Sequence, residues 1–284
     1  MLTKYVDDDG VVRMLKRSLT VWLSGISIVA ASGAVLADTG WATRSELGYV
    51  LARGNTDTEN GNLKFDIARL QGRWQYGLGV DALYGSSNGI GTAQRWDGHF
   101  QADLKYSERS FWFSAVRYEN DLYSGIQYQS SFSTGAGHVF MQSITNKLSA
   151  QIGAGVRVLR PEELVRDDAG AVTQRIPGER TTDAVANGAL SYEHAFNSST
   201  KLIEAFLVES GESNTLLKDS ISLQVKMSSS LAVALGWQIN RNSSQPAGVI
   251  SRTDTLATAN IVYEIKNPKV TPSAVALTQL QAVH

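Results

Sequence analysis

The 284-residue chain contains no cysteine. That removes disulfide frameworks, thiolate zinc sites, iron–sulfur ligation and cysteine nucleophiles from the functions open to it. No sign of charge dominates either: 26 Lys and Arg stand against 27 Asp and Glu. Without a basic stripe to follow phosphates, nucleic acid is excluded as a partner. After residue 38 no apolar run is long enough to cross a bilayer as a helix, so a membrane role for that part of the chain requires a closed barrel.

The N-terminal segment has a different character. Met14-Leu15-Lys16-Arg17 precedes an apolar stretch from Leu19 to Leu36, the order of a secretory signal peptide. The small side chains of Val35 and Ala37 place cleavage after Ala37. A membrane anchor is the alternative, but Ser24, Gly25, Ser27, Ser32 and Gly33 interrupt the apolar run, and a span needs about 20 apolar residues. Asp7, Asp8 and Asp9 carry the wrong charge for the region before a signal core. Residues 1–13 therefore read as a mis-assigned N-terminal extension, 14–37 as the signal peptide, and the exported chain starts at Asp38.

What is present from there on is alternation. Trp74, Tyr76, Leu78 and Val80 interleave with Gln75, Gly77, Gly79 and Asp81, giving one apolar and one polar face. The same pattern sets Trp96, Phe100 and Leu104 against Arg95, Asp97, His99, Asp103 and Lys105. Strands are expected near residues 41–53, 59–70, 73–85, 93–107, 110–121, 127–141, 145–159, 181–195, 200–210, 214–227, 230–241 and 252–265, and many reach the ~9 to 11 residues that a tilted strand needs to cross a bilayer. The expected fold is all-β: an antiparallel transmembrane β-barrel of about 12 strands over 38–265, with a C-terminal tail at 266–284.

Connections support that reading because their lengths alternate. Gly85 to Thr92, Arg160 to Arg180 and Asn242 to Ser251 are long, whereas Gln71-Gly72, Glu108-Arg109 and Ser228-Ser229 are tight, as in barrels with short periplasmic turns and longer outside loops. Trp41, Trp74, Tyr106, Trp112, Phe140 and Tyr263 fall at the expected periplasmic rim and Tyr84, Trp96, Tyr118 and Tyr128 at the other, matching aromatic girdles.

Parity in the first seven strands points Arg44, Glu46, Lys64, Asp66, Asp81, Arg95, Asp97, Asp103, Lys105, Arg117, Glu119, Asp121, Lys147 and Arg157 into the lumen, seven acidic and seven basic. Later strands add Asp183, Glu193, Lys218 and Lys226, with Glu204 on a strand whose two faces both look apolar. Balanced signs predict a paired network that fills the lumen, since an ion-selective pore favours a ring of one sign.

The opening Glu46-Leu47-Gly48-Tyr49-Val50 and Gly54-Asn55-Thr56-Asp57-Thr58, then Lys64-Phe65-Asp66, Gly72-Arg73-Trp74, Ala82-Leu83-Tyr84 and Gly153-Ala154-Gly155-Val156-Arg157, resemble a bacterial family of unknown function known as salt-induced outer membrane proteins. The resemblance implies an exported outer-membrane barrel and no particular substrate or reaction. Gly54-Asn55 suits a tight turn, with Thr56, Asp57 and Thr58 able to bond nearby backbone. A chain end at Tyr263-Glu264-Ile265 followed by a tail departs from the terminal aromatic with which barrels commonly finish.

Enzymatic readings fare worse. No Gly-x-Ser-x-Gly elbow occurs, and neither His138 nor His194 begins a His-x-Ser pair. His99, near Asp97 and Asp103, reads as a lumen histidine in a polar network, and no histidine pair has metal-ligand spacing. A calcium site from Asn55, Asp57, Glu59 and Asp66 is disfavoured because Gly61 falls one place late for an EF-hand loop. Arg160, Arg166, Arg175 and Arg180 could meet lipopolysaccharide phosphates, although a solvated loop is the plainer reading. The expectation is thus a non-enzymatic, cofactor-free barrel of the bacterial outer membrane with a filled lumen and a structural role, tied to envelope or osmotic stress as the name of the resembled family implies. Its partners are membrane lipid, lipopolysaccharide, periplasmic chaperones and the barrel-assembly machinery. A narrow pore or transporter for small solutes is the alternative and an outer-membrane hydrolase the third.

Overall fold

The computed structural model describes residues 40–52, 58–244, 249 and 251–265. The expected signal segment, its expected cleavage point after Ala37, the expected turn at residues 54–57 and the expected tail at 266–284 lie outside them. The strands are β1 (Trp41–Ala52), β2 (Thr58–Gln71), β3 (Trp74–Ser87), β4 (Ile90–Lys105), β5 (Ser110–Asp121), β6 (Ile126–Gln142), β7 (Asn146–Arg166), β8 (Val172–Pro177), β9 (Thr181–Ala195), β10 (Thr200–Gly211), β11 (Thr215–Lys226), β12 (Leu231–Asn242) and β13 (Thr253–Ile265). All but β8 join one antiparallel sheet, which closes because β6 pairs with β7 at one point of the circuit and β1 with β13 at another. The fold is a closed twelve-stranded barrel, each of whose twelve strands is paired on both sides.

Alternation decides which side chains point out. On β3, Trp74, Leu78, Val80 and Tyr84 are exposed on the outer surface while Gln75 and Asp81 are buried. Trp96, Tyr118 and Tyr128 form an outer ladder across β4, β5 and β6, with ring centroids 5.1 and 6.3 Å apart. At the end with the short turns, Arg69 lies over the Trp41 ring at 4.9 Å.

The connections at the other end differ from expectation. The expected loop between Gly85 and Thr92 shrinks to Asn88-Gly89, whose positive φ values of 49° and 77° fit the twist of a two-residue hairpin. A bulge between Gly85 and Ser86 then shifts register by one, so that Asp81 faces Asp97. The expected Arg160–Arg180 loop is largely a hairpin, β7 continuing to Arg166 and pairing with β8. It packs against the β5–β6 turn: the Glu162 amide donates to the Gly125 carbonyl at 2.8 Å, and Arg175 reaches both Glu162 and the Leu122 carbonyl.

The interior is packed, and unevenly so. Phe111, Phe113, Ala115, Val139, Ala189, Ala205 and Leu207 form a buried apolar cluster inside the barrel. Phe111 and Phe113 lie on glycine positions of β6 and β7: a Cβ at Gly137 would strike the Phe111 ring, and one at Gly153 would come 2.7 Å from Phe113 Cζ. Charged residues and uncharged Gln, Ser and Asn share the remaining wall.

Candidate functional site

Ion pairs cross the interior in two belts. Near the short-turn end, Arg44 holds Glu46 at 2.7 Å and also pairs with Glu264. Lys201 bridges Glu264 at 3.7 Å and Glu193 at 3.1 Å, and Lys147 reaches Glu193 at 2.7 Å. In the second belt Arg157 meets Glu209 at 3.3 Å, Asp183 at 3.4 Å and the Asn214 carbonyl at 2.6 Å. Arg117 shares Glu209 at 3.5 Å, Arg95 pairs with Asp121 at 3.5 Å, and Lys218 on β11 reaches Glu119 on β5 at 3.2 Å. That last pair joins walls five strands apart by the shorter path round the sheet, so it is a chord across the lumen rather than a rung along the wall.

These chords fill the space. Arg157, Lys218, Gln75, Gln101, Gln129 and Asp97 are each buried below 2% exposure. Arg44, Glu46, Lys64 and Asp66 border a cavity of about 30 Å³, room for roughly two waters. Asp103 accepts a bond from Gln101 at 2.8 Å.

Other residues fall differently from their parity reading. Glu204 is oriented outward with Leu202 and Phe206, because the inward positions of β10 are Ile203, Ala205, Leu207 and Glu209. Lys226 is exposed at the short-turn rim. Sequence reasoning missed Lys201, Glu209 and Glu264, three members of the belts. The apolar residues around Lys201 and Glu209 on β10 hid which face was wet, although the inward face needs apolar groups there to meet Phe111 and Phe113.

On β2, β3 and β4 a separate group stands beside the second belt. Register aligns Lys64, Asp81 and Asp97 in one row and Asp66, Gly79 and His99 in the next. His99 Nε2 lies 3.7 Å from Asp66 and its Nδ1 4.0 Å from Asp97. One ligand atom each from Asp81, Asp97 and His99 lie within 4.8 Å of one another, so this is a group able to hold a metal ion. Of the calcium reading, Asn55 and Asp57 lie outside the described residues; of the other two, Glu59 accepts from Tyr49 on the outer surface, whereas Asp66 is buried inside.

Ser110 Oγ lies 2.9 Å from His138 Nδ1 at the rim, and among the described residues no carboxylate pairs with His138 to orient it as a base. The four arginines are mostly engaged within the hairpin: Arg160 donates to the Gly178 carbonyl at 3.3 Å, Arg166 to the Gly170 carbonyl at 3.0 Å, and Arg175 to Glu162 at 2.6 Å. Arg180 is exposed.

Structures similar to this one include the NanC porin, at 8% identity and TM-score 0.45 over 78% of this chain and 98% of that one. The translocator domain of the autotransporter NalP from Neisseria meningitidis has 11% identity and TM-score 0.41 over 89% and 98%. The KdgM porin has 8% identity and TM-score 0.39 over 78% and 98%. A comparison with curated proteins finds no match. The family described as "Protein of unknown function, DUF481" matches residues 45–265, and the chain belongs to it.

Proposed function

We propose that the protein is a structural barrel of the bacterial outer membrane, its lumen closed by its own side chains, serving the envelope under osmotic or salt stress. One observation carries this reading: among the described residues the interior is crossed by buried pairs such as Lys218–Glu119 and Arg157–Glu209, and the cavities bordered by Arg44 and Glu46 and by Asp81 and Asp97 measure only about 30 and 10 Å³. An apolar outer face with aromatic ladders suits lipid. The chain's partners on this reading are bilayer lipid and lipopolysaccharide, after delivery by periplasmic chaperones and the assembly machinery.

Planar-bilayer recording of the refolded chain from Asp38 tests it. A folded, heat-modifiable barrel that gives no discrete current steps is the expected result. Steps that change with Arg117→Gln or Asp97→Asn would overturn it in favour of a narrow pore for small solutes. That second reading has its own support, because many of the groups obstructing the lumen are polar or charged and could re-pair along a path, which the apolar cluster around Phe113 cannot.

A further inference from the structure

We propose that Asp81, Asp97 and His99, with Asp66 at their side, bind a divalent transition-metal ion inside the barrel. Asp81 and Asp97 are directly opposed across β3 and β4, an arrangement that destabilises a sheet when both carry the same charge. Burial makes it worse: the Asp97 side chain is 1% exposed and Asp81 is also buried. Neither oxygen of either carboxylate has a hydrogen-bond partner, and the same holds for Asp66 Oδ1 and both ring nitrogens of His99. Buried polar atoms are normally satisfied. Here seven donor or acceptor atoms, from four side chains of adjacent strands, are left over in one place.

The neighbouring cations do not resolve this. Arg44, opposite Asp66, pairs with Glu46 and Glu264, Arg117 with Glu209 and Lys218 with Glu119, while Arg95 pairs with Asp121 and keeps its Nη2 without a hydrogen bond on the cavity it shares with Asp81 and Asp97. Lys64, opposite Asp81, brings one positive charge to a group of three carboxylates. A doubly charged ion would offset the negative charge concentrated on the Asp81–Asp97 row.

The backbone also makes room for the imidazole. Gly79 separates Asp66 from His99 in their row, and a Cβ there would strike the His99 ring and come 2.5 Å from Asp66 Oδ1. His99 thus leans over β3 toward the carboxylates. Donors around an ion at ~2.1 Å are ~3.4 Å apart in a tetrahedral site, so the present spread of 4.8 Å closes with side-chain shifts of about an ångström. One imidazole with carboxylates selects zinc- or manganese-like ions over calcium and magnesium, which prefer oxygen-only shells.

The test uses the full barrel refolded with chelator, then titrated with Zn²⁺ or Mn²⁺ alone, reading bound metal and the denaturant midpoint. One ion per barrel is expected, and at a hundredfold excess over Kd the folded-to-unfolded ratio should rise about 100-fold. Asp97→Asn and His99→Gln should abolish that rise, whereas Asp103→Asn, a buried acid outside the group, should leave it. The sign of the metal-free comparison adds a separate check: without metal, Asp97→Asn should be more stable than the parent barrel, and with metal less stable. If a variant fails to fold, the parent titration still decides. Absence of stoichiometric metal, or a midpoint that answers to pH and not to metal because the two carboxyls share a proton, overturns the proposal. Neither outcome depends on whether the lumen conducts.

Discussion

Replacing Arg157 by Met tests whether the interior is dry and closed. The guanidinium is fully buried and meets Glu209, Asp183 and the Asn214 carbonyl at 3.3, 3.4 and 2.6 Å. Removing one member of a buried pair costs ~3–5 kcal/mol because the other charge is stranded. Arg117 still faces Glu209 at 3.5 Å, which puts that cost at the low end of the range, and the lost bond to a carbonyl adds ~1 kcal/mol. Asp183 keeps its bonds from Ser213 and adds little. The expected loss is therefore about 3–4 kcal/mol in urea unfolding followed by tryptophan fluorescence, with folded barrel counted by gel mobility. Combining Arg157→Met with Glu209→Gln should cost less than the two single changes together, by ~1–3 kcal/mol. A single-change loss under ~1 kcal/mol, the value of a solvated pair, or strict additivity would refute the reasoning: water would then be screening the pair, and the lumen would be open.

Other changes probe other parts of the barrel. Phe113→Ala empties a fully buried site facing Gly153 and should lower stability by ~3–5 kcal/mol, read from the guanidinium midpoint. Glu204→Leu, on the outer face between Tyr192 and Ile221, should stabilise the barrel by about 1 kcal/mol in liposomes, since a lipid-facing carboxylate is unfavourable; an unchanged or lower urea midpoint would place Glu204 away from lipid. Gly89→Val forces a β-branched residue to a φ of 77° and should cost on the order of 1–2 kcal/mol, measured as a fall in midpoint with the barrel otherwise intact.

The strands were legible because each carries its own evidence: on β3 and β4 the apolar period of two is nearly uninterrupted, and a half-buried strand needs nothing else to declare its faces. Pairing across the lumen was not legible. Parity points Lys218 and Glu119 inward but cannot say that side chains 99 positions apart meet, since that depends on barrel width and stagger. The Asp81–Asp97 row was hidden by one residue. A simple two-residue turn at Asn88-Gly89 would set Asp81 opposite Trp96, and only the bulge at Gly85 and Ser86 restores matching faces. On β10 the tertiary environment overrode the local pattern, because an inward face that meets Phe111 and Phe113 must itself be apolar. The β7–β8 hairpin carries so many charges that it read as solvent-exposed loop, although Glu162 and Leu164 are buried within it.

The meeting of β1 and β13 bears on how long the barrel lasts once made. Arg44 and Glu264 stand directly opposite across this junction, and Asn260 on β13 donates to Glu46 on β1 at 2.8 Å. These partners sit 220 and 214 positions apart in the chain, so they cannot meet until the circle of strands is complete. Interactions formed after the folding barrier do little for the rate of assembly and act mainly on the rate of escape. Prising the junction apart would expose an arginine and two glutamates to an apolar surround before any compensating hydration arrived. Closed last, the junction would act as a latch, and the lifetime of the folded barrel would then follow how slowly that latch opens.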